Sequence, residues 1–140
     1  MIKVAVTGEQ IEVFAETLYA ELAPRMEERV RAASELFAGR LQTALSRVGD
    51  PIPGGPPAKR TGELQQSMNP LPIRRTRTSV RGGAGVWVDD PAERARIARK
   101  AAALEYGGTD RKGRVHPPYP FLRPTEEALR DTIERMLEEL

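Results

Sequence analysis

Leu71-Pro72-Ile73-Arg74-Arg75-Thr76-Arg77-Thr78-Ser79-Val80-Arg81-Gly82-Gly83-Ala84-Gly85-Val86-Trp87-Val88-Asp89 is the stretch on which the fold class turns. From Leu71 to Val80 it is rich in threonine and arginine, which suits an extended strand with one solvated face. Gly82-Gly83 has the composition of a turn, and Ala84 to Asp89 returns through Val86, Trp87 and Val88. The reading predicts a hairpin and therefore a small sheet. Because the sequence on both sides reads as helical, the expected class is α+β: long N-terminal helices and a C-terminal helix packed on a small mixed or antiparallel sheet.

Upstream, Ile2, Val4 and Val6 alternate with Lys3, Ala5 and Thr7, the period of a short edge strand that Gly8 stops. From Gln10 to Val48 the apolar residues Ile11, Phe14, Leu18, Leu22, Met26, Val30, Ala33, Phe37, Leu41, Ala44 and Val48 recur every three or four positions. That spacing keeps one stripe on one side of a helix. Pro24 interrupts it, and an interior proline costs about 3 kcal/mol, so a break or kink near Ala23 is expected. A shorter helix is then followed by a long one ending at Gly49. Asp50-Pro51-Ile52-Pro53-Gly54-Gly55-Pro56-Pro57 reads as a loop, giving a mobile segment near 49–60. Thr61 has the chemistry of a cap for a short helix from Gly62 to Ser67, with Glu63 near its positive end.

Downstream, Asp90-Pro91-Ala92-Glu93 is a helix start: an aspartate cap, a proline in the first turn, and a glutamate that can reach back. The helix is expected to run to about Glu105, burying Ala95, Ala98, Ala101, Ala102 and Leu104, until Gly107-Gly108 stop it. A second polar loop, mobile near 108–118, leads to Tyr119-Pro120-Phe121-Leu122. Pro124 then opens a final helix with Leu129, Ile133, Met136 or Leu137, and Leu140 on one face. The sequence has no internal repeat, and 140 residues with 39% apolar content suit one domain.

Composition narrows the chemistry. There is no apolar run of roughly 18 residues and no charged-then-apolar leader, so a soluble cytoplasmic product is expected and no membrane partner. With no cysteine, disulfides and thiolate chemistry are excluded, and a single histidine, His116, makes a histidine-based metal site improbable. Ser34, Ser46, Ser67 and Ser79 have no histidine at a readable spacing. The carboxylate pairs Asp89-Asp90, Glu126-Glu127 and Glu138-Glu139 are adjacent residues that diverge on helices or caps. No catalytic residue, metal or cofactor is expected, and the chain does not read as an enzyme.

The net charge of +2 conceals a gradient. Residues 58 to 82 carry six basic side chains against Glu63 alone, whereas residues 125 to 140 carry two basic and six acidic ones. Such polarity can orient one subunit against another or hold a segment beside phosphates. Lys59-Arg60-Thr61-Gly62 could attract an anion at a helix start, but it lacks P-loop spacing and a preceding strand, and a capped turn with two solvated cations is the favoured reading. Arg74, Arg75, Arg77 and Arg81 concentrate positive charge, and alternation would point Arg75, Arg77 and Arg81 to one face. Without stacking aromatics in the segment, weak electrostatic contact with DNA is the expectation. A small basic nucleic-acid-binding module is the alternative of another class.

Three segments in fixed order carry a resemblance. They are Pro57-Ala58-Lys59-Arg60-Thr61-Gly62-Glu63-Leu64 with Ser67-Met68, then Ala103-Leu104-Glu105-Tyr106-Gly107-Gly108-Thr109, then Pro118-Tyr119-Pro120-Phe121-Leu122-Arg123-Pro124. Together the chain resembles the neck or tail-completion family of long-tailed phages. The resemblance implies a virion structural protein at the head-to-tail junction, made in the host cytoplasm. It would form a homo-oligomeric ring, sixfold in the family's manner, against connector or head-completion and tail proteins, with non-specific contact to packaged DNA. A tail terminator capping the tail tube is the alternative within that class. It further implies that Lys59, Arg60, Thr61, Gly62 and Leu64 form a hinge between the long helix and the sheet. Glu105, Tyr106, Gly107, Tyr119, Phe121, Arg123 and Pro124 would flank a loop that contacts neighbouring subunits. Read from the residues alone, Tyr106, Tyr119 and Phe121 are equally consistent with ordinary core.

Overall fold

The computed structural model describes residues 2–15, 22–46, 62–109 and 111–138. Two strands, β1 (Ile2–Thr7) and β2 (Gln10–Ala15), precede a long helix, α1 (Ala23–Ala44). A short helix α2 (Glu63–Ser67) leads into β3 (Met68–Pro70), β4 (Arg74–Arg75) and β5 (Ser79–Val86). Helix α3 (Pro91–Tyr106), a small hairpin of β6 (Gly108–Thr109) and β7 (Val115–His116), and helix α4 (Leu122–Glu138) complete the order. The class is α+β, as the sequence leads one to expect. The main sheet is antiparallel throughout, in the order β1-β2-β5-β3, with β4 also on β5.

The segment Gln10–Ala15 departs from the helical expectation. Gly8 adopts φ 56°, which turns β1 back on itself, and Val4 and Val6 fall opposite Val13 and Ile11. Ile11 and Val13 are fully buried, so the period that matters here is two. A three-to-four spacing through Ile11 and Phe14 fits a helix on paper, yet β-branched Ile11 and Val13 flank one solvent-side glutamate and suit a pleated strand better. Pro24 accordingly lies in the first turn of α1, where its missing donor costs nothing, and starts the helix instead of breaking it. From there the stripe behaves as expected. Met26, Val30, Ala33, Phe37 and Leu41 are fully buried, each large side chain contributing about 1.5–3 kcal/mol of transfer free energy. Val48, Gly49 and the proline-rich segment to Ala58 lie outside the described residues.

The glycine pair at 82 and 83 is a second correction. Strand β5 runs straight through it, and the turn sits earlier, where the Thr76 N–H donates to the Ser79 carbonyl at 2.8 Å and the Thr76 hydroxyl accepts the N–H groups of Thr78 and Ser79. The glycines serve close approach instead. A Cβ on Gly82 would lie 2.7 Å from Val30 and 2.9 Å from the Ser34 hydroxyl, both on α1, and one on Gly83 would lie 1.8 Å from the Glu9 carbonyl. Ser34 is fully buried and satisfied, donating to the Val30 carbonyl at 2.7 Å and accepting the Gly83 N–H at 3.0 Å.

Helix α1 lies across the sheet, and α4 packs on α1 and β1, burying Leu129, Ile133 and Leu137. Leu140 is outside the described residues. The cap of α3 is as expected, the Asp90 carboxylate accepting the Ala92 N–H at 3.0 Å; Glu93, however, pairs forward with Arg96 at 2.7 Å. The expected alanine face of α3 is a third correction. Ile97 and Glu105 are buried and Ala101 and Leu104 half-buried, whereas Ala95, Ala98 and Ala102 are exposed. The helix rests beside α2 and the end of β5 instead of crossing the sheet, so only a narrow line of its surface meets other atoms.

Candidate functional site

The segments Leu104-Glu105-Tyr106-Gly107 and Tyr119-Pro120-Phe121-Leu122-Arg123-Pro124 meet in space. Glu105 ends α3 as a buried side chain, and its carboxylate accepts the N–H groups of Phe121 at 2.9 Å, Leu122 at 3.3 Å and Arg123 at 2.7 Å. These are the orphan donors at the start of α4, where the helix dipole also favours a negative charge. A second tie is the Tyr119 N–H donating to the Leu104 carbonyl at 2.7 Å. Gly107 adopts φ 71°, and a Cβ there would lie 2.7 Å from the His116 carbonyl, so only glycine lets α3 end against the returning chain.

The family-implied residues therefore divide. Glu105, Gly107 and buried Phe121 build the joint, while Tyr119 is half-buried and Pro124 sits exposed in the first turn of α4. Tyr106 is 77% exposed and Val115, across the base of the hairpin, is 79% exposed. Arg123 contributes its backbone N–H to the joint and turns its side chain to solvent, 3.3 Å from Glu127. Gly62 takes φ 78° at the start of α2 and Leu64 is buried; Lys59, Arg60 and Thr61 lie outside the described residues. Glu63 anchors α2 to α3, receiving Arg96 at 3.0 and 2.8 Å with Lys100 at 3.8 Å. The hydrogen bond from Arg96 holds the Glu63 carboxyl below the usual carboxylate range and raises the guanidinium in turn.

The arginine segment does not present one face. Arg74 pairs in register with Arg81, and Arg75 with buried Val80, which turns Arg75 toward α1. Opposite residues of an antiparallel pair share a face, so β4 splits Arg75 from Arg81. Arg75 lies 3.3 Å from Glu27 and Arg81 3.1 Å from Glu12. Arg74 and Arg77 are exposed.

A groove of about 210 Å³ runs between α3 and β5, floored by Gly85, Val86, Met68, Phe121 and Leu122 and walled by Ala98, Ala101, Ala102 and Tyr106. Sequence reasoning missed the Glu9 carboxylate in it, which has neither a cation nor a hydrogen-bond donor among the described residues. Although Glu9 as a residue is exposed, its carboxylate lies over Gly85, where a Cβ would be 2.6 Å from Oε2, and partial burial pushes the carboxyl up from its ordinary value. Arg94 borders the same groove but is engaged, its guanidinium 3.7 Å over the Trp87 ring and donating to the Val88 carbonyl at 3.1 Å. Only the β1–β2 turn brings Glu9 here, a placement that no local pattern around Glu9 announces. Among the described residues no three acidic or histidine side chains converge as a metal set, and no helix is long and apolar enough to cross a membrane. The chain matches no protein-family model, no curated protein and no solved structure.

Proposed function

We propose that the chain is a virion structural protein of a long-tailed phage or prophage, acting at the head-to-tail junction by assembly and not by catalysis. The observation that carries this reading is the Glu105 joint. It makes one unit of two of the segments on which the family resemblance rests, and the Glu63–Arg96 pair ties α2, from the third segment, to the same helix. The joint leaves a hairpin and two large apolar side chains, Tyr106 and Val115, facing solvent. Apolar side chains exposed beside a rigid support are what a docking surface needs. In this reading the copies form a ring, sixfold in the family's manner, between connector or head-completion proteins and the tail, with packaged DNA touched only through phosphates.

The test is genetic. Removing the gene from a phage or induced prophage that carries it is expected to yield DNA-filled heads and separate tails in electron micrographs. Tails of irregular excess length would assign the terminator role within the class. Normal, infectious particles would overturn the proposal.

A further inference from the structure

We infer that the groove between α3 and β5 receives the β6–β7 hairpin of a second copy of this chain. This rests on the assembly reading and names the contact by which copies meet. The groove is largely apolar, with Ala98 and Ala102 exposed on its wall and Val86 and Leu122 half-exposed on its floor, while Glu9, Arg94 and Glu105 also line it. At one side it carries the Glu9 carboxylate, which has no cationic partner among the described residues. Water is partly stripped from that carboxylate, which favours a cation brought to it on an apolar stem.

The occupant must therefore offer an exposed apolar side chain beside a cation, because a cleft of about 210 Å³ admits side chains and leaves the backbone that carries them at its mouth. The hairpin does so. Val115 on β7 is 79% exposed, and Arg111 at the turn is exposed with no acidic partner among the described residues. The hairpin of the same copy is not the occupant: Gly107 is locked against the backbone of His116, Pro117 and Pro118, and none of the described residues from 107 to 120 lines the groove. Hairpin and groove are different surfaces, so the contact is heterologous and repeats, closing into a ring when the rotation allows. The aliphatic contact of Val115 supplies affinity, and the Arg111–Glu9 pair sets direction.

The chain has no cysteine, so single cysteines can report the contact without interference. Equal amounts of full-length Ala102→Cys and Val115→Cys chains are mixed and mildly oxidised, and the covalent dimer is quantified. Ala102→Cys with Thr43→Cys, on the exposed end of α1, is the control pair. The first pair is expected to give roughly tenfold more dimer than the control, and Glu9→Lys on the Ala102→Cys chain to lower the yield by about threefold to fivefold. Adding Arg111→Glu to the Val115→Cys chain should restore it, a recovery that loss of folding would not allow. A yield no higher than the control, or an Ala102–Ala102 dimer in excess, overturns the inference and points to a different protein or a symmetric contact in the groove. The outcome is separable from the assembly reading. Gene loss that leaves particles normal sinks that reading whatever the cross-link shows, and heads and tails left unjoined by gene loss keep it standing even if no cross-link forms.

Discussion

The carboxylate of Glu105, at the end of α3, accepts the backbone N–H of Arg123, at the start of α4, across 2.7 Å and eighteen positions of sequence. The same oxygen pair takes the Phe121 and Leu122 N–H groups, so one side chain satisfies three donors that a helix start would otherwise leave buried or half-buried without partners. Through it the hairpin between the two helices is held by both of its roots.

Replacing Glu105 with alanine should therefore cost about 2 kcal/mol, the scale of a lost cap whose donors remain out of water. Thermal unfolding is expected to shift down by roughly 5–10 °C. Glu105→Gln, which keeps an acceptor but not the charge, should lose about half as much. An alanine variant as stable as the parent would show that the joint is not structural.

Glycine substitutions should separate close approach from turn formation. Gly82→Ala meets side chains of α1 at 2.7–2.9 Å and is expected to cost about 1–3 kcal/mol. Gly83→Ala meets the Glu9 backbone carbonyl at 1.8 Å with φ at 145°, so it should cost more or prevent folding. Gly39, exposed in α1 with nothing within 4 Å of a Cβ, should gain about 0.5–1 kcal/mol on becoming alanine. Urea titration of the three variants checks the order.

Glu9 gives a pH dependence of defined sign. Its carboxyl is raised above the ordinary value near 4.5 by burial in a groove that Arg94 and Glu105 also face. Below that value the group is protonated in both folded and unfolded chains, and its relative contribution is at its most favourable. As pH rises through the folded value the unfolded chain has already ionised, so the contribution is lost. Glu9→Gln should thus melt higher than the parent at about pH 7, the two curves converging near about pH 4. A difference that grows toward acid would reverse the assignment.

The β2–β5 ladder joins residues on both sides of the segment from 47 to 61, with Ile11 opposite Gly82 and Val13 opposite Val80. Neither half buries that sheet alone. Fragments 1–49 and 58–140 are expected to co-purify when co-expressed and to be insoluble when expressed singly. Two fragments that each fold alone would contradict a single domain.

DNA binding should be weak, indifferent to sequence and lost with salt. Arg74 and Arg77 are exposed, whereas Arg81 and Arg75 are held by Glu12 and Glu27. Replacing Arg74 and Arg77 together should flatten the salt slope of affinity by about 2, and replacing Arg81 should change it less. Tight, sequence-selective binding near physiological salt would favour the nucleic-acid module instead.

Much of the architecture was legible because it is written in local periodicity. The stripe from Met26 to Leu41, the Asp90-Pro91 start, the Gly107 stop and the Leu129-Ile133-Leu137 face each depend on neighbours within a few turns. The misread segments are those where two periods fit the same residues. Ile11 and Phe14 satisfy a helical spacing and Ile11 and Val13 a strand spacing, and the choice belongs to Val4, Val6 and Val80 across the sheet. Gly82-Gly83 likewise has the composition of a turn, and only the nearness of α1 explains it otherwise.

By itself, then, the sequence determined the α+β class, the ends of α3, the core stripes of α1 and α4, and the absence of cysteine chemistry, because these follow from residue types and short spacings. Tertiary structure alone decided that Glu105 caps α4, that Arg75 and Arg81 part to opposite faces, that Ala95, Ala98 and Ala102 of α3 stay in solvent, and that Glu9 reaches the groove. Each of these depends on which distant backbone comes within a few ångströms. Hydrogen bonds and van der Waals contacts act only at that range, and no pattern confined to one element encodes it.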